Sequence, residues 1–145
     1  MVFREVIRPP LWVLAFIYFL FLSLVIAIWA ALDNRSALIS WIAATLGIIA
    51  IAIRWRTQIT VDENELRIGQ AHIELRYLKE VSALSSEEMR RMRTRDADPA
   101  AFLALAFWIP TGVKITLNDD RDSVPYWLIS VRKSEELTNT LYKLL

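Results

Sequence analysis

Two uncharged apolar stretches near the N-terminus constrain this chain more than any other feature of its sequence. Residues 11–32 contain no charged side chain, and residues 37–53 form a second such run. As helices, the runs would be about 33 Å and about 25 Å long, against a bilayer hydrocarbon core of about 30 Å. Because only residues 33–36 separate them, the sequence predicts a hairpin of two antiparallel transmembrane helices.

The charges around this hairpin predict its orientation. Four arginines lie just before the first run or just after the second: Arg4, Arg8, Arg54 and Arg56. Basic residues concentrate on the cytoplasmic side of membrane helices, so we expect both termini in the cytoplasm of a multi-pass protein of the plasma (inner) membrane. A cleaved signal peptide is disfavoured, because the first run exceeds a typical signal core and a second run follows at once.

Small residues recur along both predicted helices. They are Ser23, Ala27 and Ala31 in the first helix, and Ser40, Ala44 and Gly47 in the second. Such stripes let helix backbones approach closely, so we expect the two stripes to pack against each other within the hairpin. The alternative is that small residues are simply common in membrane helices. Neither run contains Asp, Glu, Lys, Arg or His, which disfavours a proton or ion pathway.

After residue 56 the apolar residues recur with period two, as in β-strands. Ser85 and Glu88 have capping-box spacing, which predicts a helix over residues 85–95. Residues 101–109 are interpreted as a buried strand, the alternative being a segment that dips into the membrane interface. Ser134 is interpreted as the N-cap of an amphipathic C-terminal helix.

These patterns predict an α+β membrane protein with two domains. Residues 1–56 would form the transmembrane hairpin, with spans at 11–32 and 37–53. Residues 57–145 would form a cytoplasmic antiparallel β-barrel or sandwich with a C-terminal helix. The arrangement resembles a pleckstrin-homology domain at the level of the fold alone.

Composition excludes several kinds of site. The chain has no cysteine, and its only histidine is His72, so we expect no metal centre and no cofactor. Its three glycines cannot build a glycine-rich phosphate loop. The formal net charge of +1 does not favour nucleic acid as a partner. Asp119, Asp120 and Asp122 are interpreted as a solvated turn, because they lack the ligand series of a calcium loop.

An arginine cluster is the most unusual feature of the second domain. It consists of Arg90, Arg91, Arg93 and Arg95. Directly after a membrane hairpin, such a cluster could contact anionic lipid headgroups. The alternative is a solvated helix face on which Glu87 and Glu88 offset the charge. Tyr126 lies on the opposite strand face from Trp127 and is a second candidate contact residue.

Several local motifs resemble one protein family. They are the Asp-Pro-Ala-Ala-Phe stretch at 98–102, the aspartates at 119 and 122, the Pro-Tyr-Trp-Leu-Ile-Ser stretch at 125–130, and Glu-Glu-Leu at 135–137. Together they resemble a family of actinobacterial membrane proteins known as domain of unknown function number 3093. The chain departs from that pattern at Asp120 and Ser123, where proline is expected, and at Val131, where threonine is expected. The resemblance implies two N-terminal spans followed by this domain, and it implies no activity.

Two function classes remain open from the sequence. The first is a non-catalytic, membrane-tethered scaffold that binds a protein partner in a membrane complex or anionic lipid headgroups. The second is a small membrane enzyme, or an accessory subunit, in lipid or cell-envelope metabolism. The first is favoured because no nucleophile–base pair, metal cluster or phosphate loop is recognisable. We therefore expect no enzymatic activity.

Overall fold

Two long helices occupy the predicted apolar runs. α1 (Leu11–Ala31) and α2 (Asn34–Arg54) are both long and apolar enough to cross a membrane. Asp33 caps α2, since its Oδ1 accepts a hydrogen bond from the Ser36 N–H at 2.9 Å. The short connection makes α1 and α2 neighbours in a hairpin, as the sequence predicts.

The chain divides into two units at a different boundary from the predicted one. The computed structural model describes Met1–Leu145. The first unit, here called the helical unit, contains residues 8–56, and the second, the β unit, contains residues 1–7 together with residues 57–145. The N-terminal residues were expected to belong with the hairpin, but they form a strand of the β unit.

The first sheet explains this difference. It contains β1 (Phe3–Ile7), β2 (Thr57–Val61), β3 (Glu65–Ile68) and β4 (Ala71–Glu74) in that order, with every pair antiparallel. Phe3 lies opposite Val61, and Ile7 lies opposite Thr57. A five-residue strand next to a long apolar helix gives little sequence signal, because the partner that orders it lies some fifty residues further along the chain.

The second sheet is not purely antiparallel. It contains β5 (Leu78–Leu84), β6 (Phe102–Ala104), β7 (Gly112–Leu117) and β8 (Tyr126–Ser130), in the order β5-β7-β8-β6. β6 runs parallel to β8, which is possible because the intervening chain includes the whole of β7 and its connections. The fold is α+β with two four-stranded sheets, and no closed barrel forms. Only three residues of the predicted strand 101–109 are in a strand.

Two further helices pack on the sheets. α3 (Ser86–Arg93) begins with the predicted capping box: Glu88 N–H donates to Ser85 Oγ, and Ser85 N–H donates to the Glu88 carboxylate. α4 (Ser134–Leu144) ends the chain.

The N-terminus of α4 differs from the expectation of a Ser134 cap. Lys133 is the N-cap residue and makes no side-chain cap. The Glu5 carboxylate of β1 accepts the backbone N–H groups of Arg132 at 3.0 Å and Lys133 at 3.3 Å. A side chain from the other end of the chain therefore satisfies donors just before α4, where a negative charge is also favoured.

The second sheet is covered on both faces. Its inner face contributes Ile115 and Ile129 to the main core, where Leu137 and Leu141 of α4 are also completely buried. On the other face, a smaller core of Met89, Tyr126 and Leu128 lies between α3 and the sheet.

Candidate functional site

The four arginines of the predicted cluster do not act as a group. Arg91 forms an ion pair with Glu87 at 2.8 Å, one helical turn away. Arg93 is half-buried, whereas Arg90 and Arg95 are exposed and form no ion pair. Arg91 is therefore neutralised by an ion pair, and Arg93 has a structural role. Arg90 and Arg95 remain exposed without an ion-pair partner.

Arg93 fixes α3 to the segment that follows β6. Its Nη2 donates to the backbone oxygens of Ala106 at 3.4 Å and Ile109 at 3.0 Å, and to Ser130 Oγ at 2.8 Å. Ser130 Oγ also accepts the Ala106 N–H at 3.0 Å. Burial without a facing carboxylate lowers the pKa of Arg93 below its ordinary value. Arg93 is thus a structural clamp and is not available for a headgroup.

Tyr126 is buried, contrary to its expected role as a contact residue. Only 8% of its side chain is exposed, and its ring packs with Met89 and Leu128 beneath α3. Lys114 Nζ lies 4.7 Å from the ring centroid, in a cation–π arrangement. The alternation argument fails here because β8 is covered on both faces, so all five of its residues are buried.

An exposed group of apolar side chains begins in β6 and continues beyond it, where the sequence predicted a buried strand. We call Leu103, Leu105 and Phe107 the apolar ridge; their side chains are 50%, 39% and 63% exposed. They alternate with Phe102, Ala104 and Ala106, which pack against the main core. Alternation within residues 101–109 was the available signal, but the even-numbered and odd-numbered positions are both apolar, so it carried no polarity contrast.

The apolar ridge borders α3. Leu103 lies beside Leu128 in the parallel pairing of β6 and β8, so both side chains are on the sheet face that α3 covers. The hydrogen bonds from Arg93 to the oxygens of Ala106 and Ile109 place the C-terminal end of α3 against the same segment. Arg90 of α3 and the apolar ridge therefore share one region of the β unit, and Arg95 follows two residues after the end of α3.

The small-residue stripes of the two long helices do not meet. Ser40, Ala44 and Gly47 of α2 are half-buried, but the α1 stripe is exposed at all three positions: Ser23, Ala27 and Ala31. The α2 stripe instead lines a groove of about 340 Å³ together with Phe21, Leu24, Val25 and Ile28 of α1. Large residues of α1 thus lie against small residues of α2.

Three polar side chains join the helices in the middle of the apolar surface. Trp41 Nε1 donates to Tyr18 Oη at 3.0 Å, and Tyr18 Oη lies 3.3 Å from Thr45 Oγ1. Thr45 also donates to the Trp41 carbonyl oxygen. In an apolar environment these groups would otherwise lack partners, so the contact fixes the register of the hairpin.

We expect Gly47→Leu to destabilise the hairpin and Ala27→Leu to leave it nearly unchanged. A Cβ at Gly47 would already be in contact with Phe21 Cε2, at 3.5 Å, so the rest of a leucine side chain must crowd that ring or the groove beside it, at a cost of about 1–3 kcal/mol. Ala27 faces away from α2. Thermal unfolding in mild detergent compares the two variants, with Ile26→Leu as a volume-conserving control. Equal loss in both leucine variants would contradict this packing.

The remaining polar candidates have local partners or lie in the open. Asp119 Oδ1 accepts the Arg121 N–H, and Asp122 Oδ1 accepts the Val124 N–H, so both carboxylates order their own turn. His72 is exposed on β4, at the edge of the first sheet. No group of three or more His, Asp or Glu side chains could hold a metal ion.

Comparison with known proteins matches residues 2–141 to one family, described as "Protein of unknown function (DUF3093)". No curated protein matches the chain. No solved structure matches it either. Because the match covers almost the whole chain, this protein belongs to the DUF3093 family of proteins of unknown function.

Proposed function

We propose that this protein is a non-catalytic interaction module anchored in the plasma membrane by its helical unit. The observation that carries this proposal is the exposed apolar surface of α1 and α2, which includes Phe16, Phe19, Leu24, Ile42 and Leu46. Burying one such side chain is worth about 1.5–3 kcal/mol. A core helix of a soluble protein would bury these residues, whereas lipid solvates them directly.

The pairing of β1 with β2 supports a hairpin with both flanks on one side. β1 precedes α1 and β2 follows α2, yet their residues lie in one antiparallel ladder from Phe3–Val61 to Ile7–Thr57. Two strands can pair only within the same compartment. An even number of crossings is therefore required, and the arginines outside both spans favour the cytoplasmic side.

The β unit is the proposed interaction module. Two sheets with a C-terminal helix packed into the core support the comparison with pleckstrin-homology domains, although the parallel β6 departs from a purely antiparallel arrangement. Its candidate polar groups serve structure: Ser130 and Arg93 bind backbone, and Asp119 and Asp122 order a turn. This supports a surface that recognises a lipid or a protein partner of a membrane complex.

The topology is tested with single cysteines, since the native chain has none. We expect Arg35→Cys to react with a membrane-impermeant maleimide in intact cells. Val2→Cys and Asn139→Cys should react only after permeabilisation. All three positions are exposed, and Arg35 is preferred to Asn34 because the Asn34 side chain accepts a hydrogen bond from Trp29.

Each alternative labelling pattern has a distinct meaning. Reaction of Val2→Cys and Asn139→Cys on opposite sides would contradict both the hairpin and the β1–β2 pairing. Reaction of both in intact cells, with Arg35→Cys protected, would reverse the orientation. Release of the protein from membranes by alkaline carbonate would contradict the anchor itself.

A further inference from the structure

We propose that the apolar ridge, together with Arg90 and Arg95, forms a surface that docks on an anionic phospholipid bilayer. This inference rests on the proposed membrane anchoring and names what the interaction module recognises. In place of the four-arginine cluster predicted from the sequence, the proposed surface combines two arginines with apolar side chains that insert into the bilayer.

The apolar component has the geometry of an inserting segment. Leu103, Leu105 and Phe107 project from one short stretch, and the ring of Phe107 lies edge-on to Trp108 with centroids 4.9 Å apart. β6 is also the edge of its sheet, so the ridge is at the border of the β unit and is not enclosed by it. Leucine and aromatic side chains of this kind partition into the boundary between headgroups and acyl chains.

The ridge is ordered before any lipid arrives. Arg93 binds the carbonyl oxygens of Ala106 and Ile109, and Ser130 Oγ binds the Ala106 N–H. The side chains that alternate with the ridge pack in the main core. Docking therefore has no entropic cost for ordering a loop, and such a cost would reduce the affinity.

The basic component consists of two guanidinium groups without a carboxylate partner. Arg90 and Arg95 are exposed and lie on or next to α3, whose end Arg93 attaches to the ridge segment. Arg91 contributes little, because Glu87 neutralises it. Hydrogen bonds from Ser85 lower the pKa of Glu88, which therefore stays ionised nearby and reduces the local positive charge. Charge alone is thus insufficient, and the ridge must supply part of the attraction.

Charge also favours a bilayer over a second copy of this chain as the partner of the apolar ridge. A second copy meeting the ridge about a two-fold axis would bring the same patch against itself, including Arg90 and Arg95. Like charges would then face each other around an apolar centre, which disfavours that contact. An anionic bilayer offers the opposite charge at its surface and an apolar phase directly beneath it.

The test uses the full chain with one nitroxide label, reconstituted at one copy per nanodisc. The discs contain phosphatidylcholine alone, or phosphatidylcholine and phosphatidylglycerol in equal amounts. Labels are attached at Leu105→Cys in the ridge, at His72→Cys on exposed β4, and at Leu20→Cys on the exposed surface of α1. Collision rates with oxygen and with a water-soluble nickel chelate report whether each label is in lipid or in water.

We expect the Leu105 label to gain oxygen contact and lose nickel contact in the anionic discs, more than in the neutral ones. The His72 label should remain in water in both. Replacing Arg90 or Arg95 by Gln should lower the docked-to-free ratio by roughly fivefold per arginine. The double variant Glu87→Gln/Arg91→Gln, which removes this ion pair without changing the net charge, is the matched control and should change the ratio much less. Phe107→Ser should also reduce docking.

Three results would overturn the docking surface. The Leu105 label could be as water-exposed as the His72 label in both discs. The protection of this label from the nickel chelate could be the same in both kinds of disc and unchanged by the Arg90 and Arg95 substitutions. It could also be absent at one copy per disc and appear only in parallel discs prepared with two copies, which would assign the ridge to self-association. The Leu20 label separates the proposals: if it lies in water, the membrane anchor fails and the docking surface fails with it.

Discussion

A fragment containing only residues 57–145 is expected to be largely unfolded under conditions in which the same fragment with residues 1–7 attached is folded. Phe3 and Ile7 are 5% and 4% exposed and belong to the main core. Each such side chain is worth about 1.5–3 kcal/mol. Glu5 also binds the backbone before α4. Their combined loss is comparable to the whole stability of a small domain, about 5–15 kcal/mol.

The matched fragment can be made because Ile7 lies directly opposite Thr57. A short Asn-Gly-containing loop joins the two residues and replaces the helical unit with a β-hairpin turn. Urea unfolding followed by tryptophan fluorescence compares the joined fragment with 57–145 alone. Phe3→Ala in the joined fragment should lower the midpoint strongly, whereas Val2→Ala, at an exposed position, should not. Equal midpoints with and without residues 1–7 would show that β1 is dispensable.

The features that the sequence predicted correctly depend on local patterns. The two apolar runs give helices within a few residues of their expected bounds, because length and composition alone distinguish them from the rest of the chain. The capping box of Ser85 and Glu88 forms as expected, since its partners are three residues apart.

The features that the sequence did not predict depend on distant partners. β1 is ordered by β2, and Glu5 binds donors more than a hundred residues away in the chain. Tyr126 has the alternation of a half-exposed strand, but α3 covers its face. The number of covered faces follows from tertiary packing and not from a strand's own residues.

Sequence reasoning identified only part of the candidate site, again because the remaining features depend on tertiary packing. The arginine run overlaps the proposed docking surface, but composition could not separate Arg93, which binds Ala106, Ile109 and Ser130, from Arg90, which forms no ion pair. The apolar ridge was hidden because an uninterrupted apolar stretch predicts burial. β6 is an edge strand, a position that only the sheet order reveals.

Gly112→Ala is expected to destabilise the β unit by about 3 kcal/mol, because strand β7 passes too close to its neighbours there. A Cβ at Gly112 would lie 2.5 Å from Met89 Cε and 2.6 Å from Met89 Sδ, and it would also collide with the Ile129 carbonyl oxygen. Met89 is completely buried and anchors α3 on the sheet, so it has no free space to move into. Urea unfolding of the joined fragment, whose two tryptophans are Trp108 and Trp127, measures the loss by fluorescence.

Two further variants distinguish the collision with Met89, the collision with the Ile129 carbonyl oxygen and the effect of backbone conformation. Met89→Ala in the Gly112→Ala background removes the sulfur collision but leaves the Ile129 carbonyl in place, so stability should not return. Gly69→Ala is the conformational control: φ is +59° at Gly69, and an added Cβ would only touch Thr57 Cγ2 at 3.9 Å. Its cost should be about 1–2 kcal/mol, from the left-handed backbone alone. If Gly112→Ala costs no more than Gly69→Ala, or if Met89→Ala restores it, then the carbonyl of β8 yields readily and the close approach of β7 is not what fixes glycine at this position.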